Sequence, residues 1–271
     1  MKRVRLSPLA IFAGLYLLFL YAPIILLPIF AFNDGTIIAF PLQGFTTRWF
    51  GDLLNTPALH EATRNSLIIA VSVAMLSTCL GLFAARAATR YNFPAKAGIM
   101  GFIMLPLVLP EVIVAISLLV VLMQLGLNTS VYTIILGHTL LCMPFAIAIL
   151  QGSFTGLDQS LEEAAIDLGE TRAGAFRLVI LPLVMPGIIA SLLICFIISL
   201  DEFIIAFFLS GNEPTLPVYL WGQLRFPARL PVVMALGTIL VTLSVVLLIV
   251  ADIFRRRGLL RTGQSDSGGF L

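Results

Sequence analysis

Charged side chains are scarce in this chain. Asp, Glu, Lys and Arg together make up 11% of its 271 residues, against about 25% in a typical soluble domain, too few to cover a water-soluble fold. Lysine is scarcer still, at Lys2 and Lys96. No G-x-x-x-x-G-K-[ST] stretch occurs, which removes the usual phosphate-cradling loop for ATP. The three cysteines, Cys79, Cys142 and Cys195, lie one each in separate apolar stretches. With no CxxC or Cys/His spacing, they read as small buried hydrophobes and not as a metal site or disulfide framework. No nucleophile–base pair or ligand set clusters at one membrane depth, so no catalytic residue, cofactor or metal is expected. The basic residues flank apolar runs and form no patch, so no nucleic-acid partner is expected.

What is present is apolar. Hydrophobic residues make up 59% of the chain, and the mean hydropathy is +1.06. Six runs stand out: Leu9–Phe32, Asn65–Ala88, Gly98–Leu125, Val131–Gln151, Val184–Phe208 and Val232–Phe254. Each has the roughly 20 residues that a helix needs to cross a bilayer. They are unbroken and do not alternate as the strands of a membrane barrel do. The expected fold is therefore an all-α membrane protein of six transmembrane helices. The basic start resembles a signal peptide, but the run that follows has 24 residues. A signal core has roughly 7–15, so an uncleaved first span is expected. Pro106 and Pro110 lie inside the third run and should kink or break its helix.

Six spans place both termini on one side. Counting basic residues with that side as the cytoplasm puts twelve inside: Lys2, Arg3, Arg5, Arg86, Arg90, Lys96, Arg172, Arg177, Arg255, Arg256, Arg257 and Arg261. Four lie outside: Arg48, Arg64, Arg225 and Arg229. This bias predicts cytoplasmic termini. Thr46–Leu54 on the outer side reads as a short amphipathic helix, with Trp49 and Phe50 as interface anchors. The polar, glycine-rich end, residues 262–271, is expected to be disordered.

Residues 152–183 form the longest inner loop. Asp158 or Ser160 can cap a helix, with Ser160-x-x-Glu163 matching a capping box. Leu161, Ala164, Ala165 and Leu168 then share one face, while Glu162, Asp167 and Glu170 point elsewhere. Gly169 supplies the stop. Thr171 can cap a second short helix, which Pro182 is expected to end before the fifth span. Paired alanines on such an exposed helix permit close approach of another protein, although an amphipathic helix lying on the membrane fits the same pattern.

Glu163-Ala164-Ala165-x-x-x-Gly169, nine residues, then Val179-x-Leu181-Pro182 resembles the EAA loop of ABC-importer permeases, with Val179 where the family prefers Ile. The resemblance implies a coupling helix that docks on an ATP-binding cassette ATPase dimer, beside a second, homologous permease subunit and an extracytoplasmic substrate-binding protein. It places the chain, surrounded by membrane lipid, in a bacterial inner membrane.

Acids within spans are costly and point to function. Glu111 is expected roughly 20 Å from the inner end of span three, and Asp201 and Glu202 roughly 26 Å up span five. Consecutive helical residues point about 100° apart, so one of Asp201 and Glu202 should face a substrate path while the other packs or accepts interhelical hydrogen bonds. No lysine or arginine in neighbouring spans offers neutralisation, which favours a cationic or wet path. His138 reads as a hydrogen-bonded packing residue. Leu42–Phe50, Leu109–Leu118, Ser199–Phe203, Thr215-Leu-Pro217 and Ala235–Ile239 are similar to segments of the second permease of putrescine/spermidine-type systems. A polyamine crossing a low-dielectric pore needs acids along its way. Importers of opines or aminoethylphosphonate share much of the pattern. A proton-coupled secondary transporter titrating Glu111 or Asp201, or a membrane scaffold, remain alternatives.

Overall fold

A computed structural model of the chain describes residues 8–158, 160–243 and 245–246. Residues 262–271, the end of the run at 232–254, and Lys2, Arg3, Arg5, Arg255, Arg256, Arg257 and Arg261 lie outside the described residues. The described elements are helical: α1 Pro8–Ala31, α2 Arg48–Leu54, α3 Pro57–Arg90, α4 Lys96–Met104, α5 Glu111–Gln124, α6 Val131–Thr155, α7 Ser160–Asp167, α8 Arg172–Ala175, α9 Leu181–Asp201, α10 Ile204–Leu209 and α11 Leu216–Gln223. A further apolar helix, α12, covers Pro227–Leu243.

Four helices are long and apolar enough to cross a membrane, or five if the bent α4–α5 pair counts as one span. The six expected spans are corrected in several places. Span two is longer than 65–88, because α3 runs for 34 residues, roughly 50 Å at 1.5 Å per residue. That exceeds a hydrocarbon core of about 30 Å, so its ends protrude. Span three bends by 104° between Leu107 and Glu111. Pro110 lacks an N–H and restricts the residue before it, so the expected kink is a full change of direction. The run 184–208 is not one helix: α9 ends at Asp201 and α10 starts at Ile204. Only part of 232–254 is described, within α12.

The described residues divide into two units, one of residues 57–219 and one of the remainder. In the first unit, α3, α6 and α9 pack against one another along their lengths, and α10 packs on α5 and α6. Ile69, Val73, Ile134, Leu141, Cys142, Cys195, Ile205 and Leu209 form its main core. Small residues bring the helices close: a Cβ added at Gly81 would lie 2.8 Å from the Ala146 Cβ. Such contacts, with the Thr78–Ser191 hydroxyl pair at 3.0 Å, hold helices together where lipid removes the hydrophobic drive between them. Cys142 and Cys195 are buried free thiols, as expected of small hydrophobes, whereas Cys79 is exposed on α3 and departs from that expectation.

In the second unit α1 leaves Leu9, Phe12, Leu15 and Phe19 exposed, as a lipid-facing helix does. The helix expected near 46–54 is α2. Its Trp49 is buried and donates its indole N–H to the Asn33 carbonyl at 2.8 Å. Trp49 is thus a packing residue, not an interface anchor. Arg48 lies over its ring and pairs with Asp34.

Candidate functional site

The elbow is built from local chemistry. Asp158 Oδ1 accepts the Ser160 N–H at 3.0 Å and so opens α7. That N–H and the Ser160 hydroxyl hold the Asp158 carboxyl below the usual carboxylate range. At the far end the Glu170 N–H reaches the Ala165 carbonyl at 3.1 Å and the Gly169 N–H reaches Ile166 at 2.9 Å. This paired closure needs a left-handed residue, and Gly169 has φ +97°. Thr171 Oγ1 then accepts the Gly174 N–H at 3.0 Å and caps α8.

Burial divides α7 differently from the apolar face read in the sequence. Ala165 is buried, but Leu161 and Ala164 are exposed and Leu168 is 88% exposed. Glu162 turns inward instead, to an ion pair with Arg86 at 2.7 Å. A short helix on a protein surface has two faces to assign, and the ion pair decides which one turns in. Glu163, Ala164 and Leu168 therefore stand outward together. Pro182 does not end the second helix. Arg172–Asp201 is continuous for 30 residues, with a wider π-type turn over Phe176–Ile180. In a regular helix the Pro182 ring would meet the carbonyl four residues back, at Leu178. The wide turn supplies that room. Val179 lies within that turn, half-buried, Leu181 follows it, and Pro182 is exposed.

The second feature is the gap between α9 and α10. Glu202 leaves the helix, with φ −68° and ψ 126°. Its carboxylate accepts the N–H groups of Ile205 at 2.9 Å and Ala206 at 3.1 Å, capping α10. Its Oε2 also lies 3.0 Å from Nε2 of His138, which is fully buried. Nδ1 of His138 is 2.9 Å from the Ser199 hydroxyl. Glu202 is buried in this arrangement and Asp201 is exposed at the last position of α9. Glu111 opens α5 just after the bend and is exposed. Its helix is one of those that pack on α10.

The profile of the family described as "Binding-protein-dependent transport system inner membrane component" matches residues 77–258, a stretch that contains the elbow, His138 and both acids of span five. The chain belongs to that family. The spermidine/putrescine transport system permease protein PotC of Escherichia coli K12 is 34% identical over 239 residues, 88% of this chain and 90% of that protein. The putrescine transport system permease protein PotI of the same strain is 36% identical over 230 residues, 82% of this chain and 81% of that one. Among solved structures, a chain of a bacterial ABC transporter involved in import of the acidic polysaccharide alginate superposes with a TM-score of 0.70 at 20% identity, covering 91% of this chain and 94% of that one. At that identity the likeness shows the fold.

In this inner membrane component, sequence reading found the elbow but missed its anchors. Arg86 and Arg90 count there only as topology signals, yet Arg86 pairs with Glu162 and Arg90 donates to the Leu157 carbonyl at 2.9 Å. Among the described residues no lysine or arginine stands beside Glu202; its ionisable neighbour is His138, whose Nε2 lies 3.0 Å from Oε2. The available signal was a second ionisable residue, His138, in the apolar run just before that of the acids.

Proposed function

We propose that this chain forms half of the translocation path of an ATP-driven importer for a small cationic solute, a polyamine such as putrescine or spermidine. Its partners are a second homologous permease, an ATPase dimer docked on the elbow, and an extracytoplasmic binding protein that selects the solute. Both termini face the cytoplasm in this reading, and ATP is hydrolysed by the separate ATPase subunit. The observation that carries it is the pair of acids at the break in span five. Glu202 is engaged in capping and pairing, which leaves Asp201 as the exposed carboxylate at the C-terminal end of α9, where free carbonyls add negative potential. Broken helices in transporters coordinate cations in this manner. Glu111 supplies a further acid on the neighbouring α5. Polyamine chemistry is supported by the names of the PotC and PotI relatives.

The outward-facing Glu163, Ala164 and Leu168 suit docking of an ATPase, and the Gly169 turn, Ala165 and the Val179, Leu181, Pro182 segment join that face to α9. Closure of the ATPase dimer would draw the elbow and rock the spans. Uptake of labelled putrescine by cells carrying the complete system tests the path: Asp201→Asn should reduce it by about tenfold or more, with normal amounts of protein in the membrane. Unchanged uptake would remove Asp201 from the path. Glu163→Lys that left both ATPase binding and uptake intact would remove the elbow as the docking element.

A further inference from the structure

The last turns of α3 lie beyond the length needed to cross the bilayer, and they reach three separate elements. Arg86 Nη2 is 2.7 Å from Glu162 Oε1 of α7, with side-chain exposures of 16% and 18%. The same guanidinium stands 4.2 Å over the ring of Phe176, in the wide turn that leads into α9. One turn later, Arg90 Nη2 donates to the carbonyls of Leu157 at 2.9 Å and Phe154 at 3.5 Å, the end of α6, where a cation complements the helix dipole.

Burial gives these contacts their weight. Among the residues of α7, Ala165 is the buried one, so apolar packing alone holds that helix weakly. A partly buried guanidinium–carboxylate pair is screened less than a surface pair and fixes direction as well as distance. Behind it α3 packs closely on α6 and α9, with Gly81 against Ala146 and Thr78 bonded to Ser191, so a pull at Arg86 acts on a stiff helix.

Resting on the proposal that the elbow couples to an ATPase, we infer that Arg86, with Glu162 as its counter-charge and Phe176 as its platform, is the positioning residue that carries displacement of the elbow into α3. Arg90 holds the end of α6 to the same point. The pair thereby ties span two, the elbow and the start of span five into one moving part.

The test uses the complete purified transporter in lipid nanodiscs, reading ATP hydrolysis with and without its cognate binding protein as purified. Arg86→Glu and Glu162→Arg should each lower the stimulation by the binding protein about tenfold, within the usual range of coupling between sites, while the ATPase subunit still co-purifies. The exchange variant carrying both substitutions should restore stimulation. Full stimulation in the single variants, or an exchange no better than either single, would overturn the inference. Should a charge reversal prevent assembly, Glu162→Gln decides: reduced stimulation supports the link, whereas normal stimulation, or failure of this mild variant to assemble, refutes it. A separate arm, Leu168→Asp on the outward face, examines docking itself. Loss of the ATPase from that variant supports the docking reading, and its retention with normal stimulation refutes docking without reference to the charge exchange.

Discussion

Two interruptions of helix direction, at Gly169 in the elbow and at Glu202 in span five, use opposite chemistry. At Gly169 the turn is exposed, and a residue without a Cβ takes φ +97° while neighbouring N–H groups close on carbonyls of the same helix. At Glu202 neither glycine nor proline is present. A buried carboxylate caps the next helix, and His138 of span four meets it from the side. The exposed turn has water to satisfy what its own backbone leaves over. The buried one must satisfy every group internally, and so it recruits a side chain 61 residues away from Ser199 in sequence, His138, to complete the site. A third break, at Pro110, lies between these extremes: proline makes it locally, as at Gly169, yet it redirects a helix within an apolar run.

This contrast can be broken by substitution. The largest effect is expected from Glu202→Ala, which strands the Ile205 and Ala206 N–H groups and one face of His138. Leaving a buried donor without its acceptor costs about 1–3 kcal/mol per group, to be read as a lowered midpoint of thermal unfolding in detergent. If Glu202→Ala is no more damaging than the elbow variants, the buried cap does not hold the break. Gly169→Val comes next. Nothing lies within 4 Å of the added Cβ, so the cost is backbone strain alone, about 1–2 kcal/mol for a left-handed residue. Gly169→Asn should cost less, because asparagine tolerates that region. Uptake per membrane-inserted chain should rank wild type above Gly169→Asn above Gly169→Val, and equal damage by both would argue against strain.

The smallest effect concerns pH. The Asp158 carboxyl is depressed by its bond from Ser160, so the cap is at full strength above the ordinary carboxylate range and is lost as pH falls through the lowered folded value. Protection factors of the first α7 amides, taken relative to the intrinsic exchange rate at each pH, should fall on acidification through that window, while those of the Ile205 and Ala206 amides hold. Uniform protection of α7 down to the lowest pH would show that Asp158 does not set its start.

Much of the elbow was legible because it is local. Asp158, Gly169 and Thr171 act on backbone groups within five residues, and their types announce those roles. Arg86 was legible only as a charge near a membrane edge, since nothing in its own stretch indicates Glu162, which lies 76 residues on. The reading of Pro182 as a stop failed for a related reason. Its consequence depends on the wide turn at Phe176–Ile180, and a single-residue rule does not contain the geometry of the turn before it.

Composition, run length and motif spacing thus determined by themselves that this is a helical membrane protein with a capped, glycine-stopped elbow, because burial in lipid and backbone capping depend on residue type and near neighbours. Tertiary structure alone decided that Glu202 is buried and Asp201 exposed, that Glu162 turns inward while Leu168 turns out, and that Arg86 meets the elbow. Those outcomes depend on which distant helices can satisfy a buried charge, and packing between helices settles that.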